Sequence, residues 1–176
     1  MTQHATLLHK EDILRLFQSL NDELAKRDVR GEVYLVGGAV MCLAFDARAA
    51  TSDVDAFFQP AGVIRACAAS VAHAMDLSST WLNDGVKAFL SDAGTFGPYL
   101  QLPYLQVYCA QPEYLLAMKC LAMRLGEEFH DLDDVRYLLR YLRIEHYNAA
   151  CAVITRFYPL ERFPQKTLYI LQELLP

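Results

Sequence analysis

No apolar run in this chain approaches the ~18–20 residues that cross a bilayer, so nothing in it reads as a membrane span. A basic surplus is also missing. Sixteen Lys and Arg stand against 21 Asp and Glu, a net charge of −5, which argues against a strongly basic nucleic-acid binder while leaving room for a local patch. There is no Cys-x-x-Cys. The five cysteines (Cys42, Cys67, Cys109, Cys120, Cys151) are odd in number and lie mostly in apolar segments, which argues against zinc and for buried thiols in a reducing, cytoplasmic setting. The opening MTQHATLLHKED has no apolar core of the signal-peptide kind. His4, His9, His73, His130 and His146 show no ligand spacing, and no Ser-His-Asp or Cys-His arrangement stands out. Repeats and low-complexity segments are absent.

What is present is enough apolar material, 54% of 176 residues, for one good core or a core with a small helical annex. Ile13, Leu14, Leu16, Phe17, Leu20 and Leu24 recur at helical spacing over residues 10–27. Residues 32–36 read as a buried strand, 38–45 as a short helix, 46–52 as a loop, 53–58 as a second strand and 62–75 as a helix. Residues 94–103, with two glycines and two prolines, read as a loop, and 104–109 as a strand. Pro112 then suits a first helical position. It opens a series of helices over 113–124, 130–143, 145–158 and 164–175, with Gly126 expected to stop the first. The expected fold is therefore α/β in the α+β sense: a mixed-sheet core over residues 1–111 and an all-helical part over 112–176.

The chain is organised around Tyr34 to Phe58, YLVGGAVMCLAFDARAATSDVDAFF. Alternate residues of a strand share a face, so Asp53 and Asp55 point one way and Val54 the other. Two neighbouring carboxylates repel unless a proton or cation intervenes. A hard divalent cation such as Mg²⁺ suits them, because it takes oxygen ligands and keeps positions open for phosphates. Gly37 and Gly38, between strand and helix, allow the backbone to approach a phosphate, with free helix N–H groups behind them. Thr51 and Ser52 add hydroxyls beside the acids. Arg48 is placed either to reach a phosphate or to pair with Asp46.

Lys119 is the one cation on an otherwise apolar helix. It must snorkel, pair with a carboxylate of the front part, or point into a cleft toward a phosphate. Arg124, at the polar end of that helix, is expected to face Asp131, Asp133 and Asp134. The stretch Trp81 to Lys87 has two readings: a helix start with Asn83 as N-cap and Asp84 in the first turn, or a polar island bringing Asn83, Asp84 or Lys87 to the cleft.

Gly37-Gly38 followed by Arg48-x-x-Thr51-x-Asp53-x-Asp55 resembles the signature of the polymerase-β-type nucleotidyltransferase superfamily. Glu113 to Arg124, then Asp131-Leu-x-Asp134, is similar to the C-terminal helical motifs of small prokaryotic nucleotidyltransferases, among them toxins of the abortive-infection type. The resemblance implies a mixed sheet flanked by helices, with a helical part closing the nucleotide cleft. It implies Mg²⁺-dependent transfer of a nucleotidyl group from an NTP to tRNA, a protein or a small molecule, with an antitoxin as a further partner. In that scheme Gly37, Gly38, Arg48, Thr51, Ser52, Lys87 and Arg124 attend the nucleotide. Asp53 and Asp55 hold metal, and Lys119 serves the triphosphate or the acceptor. The pattern also expects a third carboxylate on a later strand, where the strand at 104–109 offers Gln106. Asp84 is the candidate for that role, as ligand or base. Without such an acid the expectation becomes a nucleotide-binding or antitoxin-type protein that keeps the cleft but not turnover.

Overall fold

The computed structural model describes residues 6–126 and 129–176; His4 lies outside the described residues. In chain order the elements are β1 (Leu8–His9), α1 (Lys10–Lys26), β2 (Gly31–Leu35), α2 (Gly38–Leu43), β3 (Ala50–Thr51), β4 (Val54–Gln59), α3 (Ala61–Met75), β5 (Leu82–Asn83), β6 (Phe96–Gln101), β7 (Leu105–Ala110), α4 (Pro112–Leu121), α5 (Asp131–Tyr141), α6 (Tyr147–Ile154) and α7 (Gln165–Leu174). Short 3-10 turns cover Gly85–Phe89 and Leu160–Arg162. The fold is α+β. Among the described residues no helix is long and apolar enough to cross a membrane.

The chain forms two compact units. The first comprises Met1–Ala88 and Phe96–Cys109; the second comprises Phe89–Thr95 and Ala110–Pro176.

The first unit is built on a five-stranded sheet in the order β5-β4-β2-β7-β6. Strand β2 runs antiparallel to β4 and parallel to β7, and β4 runs parallel to β5. The period of two sorts the side chains cleanly. Val33, Leu35, Val54, Ala56, Phe58, Leu105 and Val107 are buried on one face. Glu32, Tyr34, Asp55, Phe57, Gln106 and Tyr108 stand half-buried on the other. Helix α3 packs on β4 and on α1, whose stripe of Ile13, Leu16, Phe17, Leu20 and Leu24 is buried. A separate two-stranded ladder pairs β1 with β3, Leu8 opposite Thr51 and His9 opposite Ala50. It gives backbone partners to a segment that reads from its sequence as plain loop.

Two expectations change here. Residues 94–103 hold a strand despite Gly97 and Pro98, because β6 is at the sheet edge, where a residue without an N–H costs no ladder bond. Asn83 is not a helix cap. It lies in β5, and the turn that follows starts one residue later, where the Lys87 N–H donates to the Asp84 carbonyl at 3.1 Å.

The second unit is helical among its described residues. Pro112 takes the first turn of α4, as its sequence position suggests. The helix ends at Leu121, well before Gly126, because the Arg124 N–H leaves the helical ladder to donate to Asp131 Oδ2 at 3.0 Å. Segment 89–95 packs with these helices. Ser91 Oγ donates to the Phe157 carbonyl at 2.6 Å, the Ser91 N–H donates to the Tyr114 hydroxyl at 2.9 Å, and the Tyr158 hydroxyl donates to the Phe89 carbonyl.

Candidate functional site

The site begins at the end of β2. Gly37 turns the chain with φ +69° and ψ −151°, a backbone region that is essentially glycine's alone. A Cβ built there would sit 3.1 Å from Asp55 Oδ2. At Gly38 an added Cβ would collide with the Arg48 guanidinium and lie 2.9 Å from Thr51 Oγ1. The two glycines thus mark where the turn, the Asp55 carboxylate, Arg48 and Thr51 converge. The Val36 N–H donates to the Asp55 carbonyl at 3.0 Å and ties the turn to β4. Helix α2 has only six residues, so the turn's value to an anion is close backbone approach rather than a helix dipole.

The acids lie where β4 begins. Asp53 and Asp55 are half-buried on the open face with Val54 buried between them, as the alternation predicts. Asp53 accepts from Ser52 Oγ at 3.4 Å on one oxygen and from Asn83 Nδ2 at 3.1 Å on the other. Thr51 is buried, and its hydroxyl donates to the Asp53 carbonyl at 3.1 Å, so it shapes the turn. Arg48 is half-buried against Gly38, while Asp46, its alternative partner, takes Lys10 Nζ at 3.2 Å.

Of the three polar residues that the second reading of Trp81 to Lys87 offered to the acids, Asn83 is the one that reaches them. Register sets it beside Asp55 across the β4–β5 pair. Trp81 fixes that short strand: it is buried, its indole N–H donates to the Ala68 carbonyl at 3.0 Å, and its own carbonyl accepts from the Val54 N–H at 2.7 Å. A bulky aromatic just before a polar pair was the available signal for such an anchor.

Asp84 does not join Asp53. Its carboxylate is held by Arg65 of α3 at 2.6 Å and by Lys87 at 2.9 Å. The hydrogen bond from Lys87, with that from Arg65 and both charges, outweighs the opposing effect of burial and keeps it below the usual carboxylate range. Lys87 is correspondingly engaged with Asp84 rather than presented to a nucleotide.

Lys119 and Arg124 belong to the helical unit, and their partners lie there too. Lys119 is buried, with Nζ 2.7 Å from Asp134 Oδ2 and 3.2 Å from Asp131 Oδ1. Neither a phosphate nor an acid of the sheet unit is needed to explain its charge. Arg124 Nε donates to Asp131 Oδ2 at 3.0 Å. Asp133 pairs instead with Arg136 of its own helix at 3.5 Å.

Beyond Asp55 the open face continues as aromatics. Tyr34 stacks on Tyr108 with centroids 4.8 Å apart, and Phe96 and Phe57 lie 5.2 and 5.8 Å from Tyr34. A cavity of about 580 Å³ opens at the far end, lined by Glu32, Gln59 and Gln106 among others. Asp55 and Gln59 are four residues apart on β4, roughly 13 Å of strand, so this cavity is not the acid site. None of the cysteines is in a disulfide. Burial pushes the Cys109 and Cys120 thiols up to about 12, which removes both as nucleophiles at neutral pH.

Among the described residues no group of three or more His, Cys, Asp or Glu side chains could hold a metal ion. The donors present are the two carboxylates and the Asn83 amide. They fit Mg²⁺ in one specific sense: it is commonly held by one or two carboxylates, with substrate phosphates completing its shell. No protein-family model matches this chain, and neither does a curated protein or a solved structure.

Proposed function

We propose that the sheet unit binds an NTP with Mg²⁺ and transfers its nucleotidyl group to an acceptor that is tRNA, a protein or a small molecule. The observation that carries this reading is the convergence of Gly37, Gly38, Arg48 and Thr51 on the Asp53–Asp55 strand. The glycine turn leaves space at the carboxylates that any side chain would fill. Asp53 and Asp55 would hold the ion, which when bound neutralises charge on the attacking and leaving oxygens. The turn and Arg48 orient the triphosphate so that pyrophosphate leaves in line with the attacking acceptor hydroxyl. Five cysteines outside any disulfide fit a reducing, cytoplasmic setting.

A second reading has its own observation. The side chain facing the acids from β5 is an amide, and Asp84 is tied to Arg65 and Lys87. Neither supplies an obvious base for the acceptor's proton, which favours nucleotide binding without turnover, as in a sensing or antitoxin-type protein.

Calorimetric binding of each NTP with Mg²⁺, followed by incubation with labelled NTP and total cell RNA or lysate, separates the two. Tight binding abolished in both Asp53→Asn and Asp55→Asn, together with label transfer, establishes the transferase. The same binding without transfer establishes the binder. If no NTP binds, or both variants bind as the parent does, the acids are structural and both readings fail.

A further inference from the structure

Asn83 stands beside the acid pair on the neighbouring strand. It is level with Asp55 in the β4–β5 register, and its amide nitrogen lies 3.1 Å from Asp53 Oδ2. Its placement is fixed from both sides. The buried Trp81 anchors the strand to α3, and Val54 closes the backbone ladder. An aspartate has nearly the same shape as asparagine, so at this position it would bring a third negative charge onto one patch. An asparagine brings a donor. That donor satisfies Asp53 without any cation, and its oxygen can turn to the acids only by giving the bond up.

We infer that Asn83 occupies the position of a third acidic ligand and keeps the Asp53–Asp55 pair from holding a divalent cation until a nucleotide brings its phosphate oxygens. This rests on the nucleotide-binding reading above. Mg²⁺ sheds water reluctantly, and its affinity for a site rises with the number of charged ligands. Two carboxylates with a neutral amide donating to Asp53 make a poor site for the free ion and an adequate one for the ion carried by a triphosphate. Asn83 is therefore a positioning residue that makes metal uptake conditional on substrate.

The test is Mn²⁺ binding, followed by the loss of the free-ion paramagnetic signal, together with thermal unfolding. The parent, Asn83→Asp, and the double variant Asn83→Asp/Asp53→Asn are compared. The parent is expected to take up Mn²⁺ weakly alone, and Asn83→Asp about tenfold or more tightly, as expected for an added charged ligand. Without metal Asn83→Asp should melt below the parent, because three carboxylates then share one patch, and Mn²⁺ should restore it. The double variant should lose the gain. A parent that binds Mn²⁺ as tightly as Asn83→Asp, or a gain that survives Asp53→Asn, overturns the inference. A variant-free measurement runs beside it: the parent with a non-hydrolysable NTP analogue should retain Mn²⁺ beyond what the analogue binds alone, and equal retention with and without the analogue also overturns it. A Mn²⁺ site gained in Asn83→Asp while the parent binds no nucleotide would sink the nucleotide reading and leave the placement of Asn83 standing. Nucleotide binding in the parent with no gain in Asn83→Asp would do the reverse.

Discussion

Lys119 Nζ lies 2.7 Å from Asp134 Oδ2 inside the helical unit, with both residues buried. Asp131 sits 3.2 Å from the same nitrogen and also accepts from Arg124. The lysine that stands out in an apolar helix is thus the cation of a buried acidic pair. Removing one partner of such a bridge leaves charge buried without its counter-ion and costs about 3–5 kcal/mol. Lys119→Met should lower the denaturant midpoint by an amount of that order, with the slope unchanged. Asp134→Asn in the Lys119→Met background should recover part of the loss. A Lys119→Met protein as stable as the parent would show that the bridge contributes nothing and return the lysine to a ligand role.

Asp131 gives a dependence on pH. Burial alone would raise its carboxyl, but the hydrogen bonds from Arg124 and the charge of Lys119 outweigh it and hold the group below its ordinary value of 3.8. A group lowered in the folded state contributes stability above its unfolded value, and that stability is lost as pH falls through the folded one. Stability measured by urea from pH 7 down to pH 2 should therefore fall with acid. Asp131→Asn should be less stable at pH 7, and its curve should be flatter below about pH 4. Parallel curves for parent and variant would show that other carboxylates carry the acid response.

Gly37→Ala and Gly38→Ala should fail for different reasons. At Gly37 the positive φ costs about 1–3 kcal/mol in any other residue, and the new methyl also crowds Asp55. At Gly38 the backbone is helical and the methyl is opposed by Arg48 and Thr51. Gly37→Ala should lower the melting temperature more, whereas Gly38→Ala should lose more nucleotide affinity relative to its stability loss. Melts with and without NTP and Mg²⁺ measure both. Full nucleotide binding in Gly38→Ala would remove the turn from the site.

The acids and glycines were legible because their signal is local: alternation puts Asp53 and Asp55 on one face, and a Gly-Gly break between strand and helix marks a turn. Asn83 was named only beside Asp84 and Lys87 and could not be singled out, since a strand of two residues has no period to read and its neighbour Asp55 is set by sheet register. Asp84 looked like the better acid because it is one. The Arg65 that occupies it lies 19 residues earlier on a helix whose packing no pattern announces. Lys119 was visible as an anomaly, but its carboxylate was sought in the front part, while Asp131, Asp133 and Asp134 were read as facing Arg124. Which cation each would take depended on how α4 and α5 meet. Strand β6 was hidden because Gly and Pro argue against a strand unless its edge position is known.

Segment 89–95 adds a constraint on the order in which the molecule can be made. It emerges from synthesis ahead of β6 and β7, yet Ser91 bonds to Phe157, 66 residues later, and Phe89 to Tyr158, 69 residues later. The helical unit is therefore no appendage that a single cut could remove. A fragment ending at Gln111 would keep the segment and lose the residues that hold it, and a nascent chain must carry it without its Phe157 and Tyr158 partners until α6 has been translated.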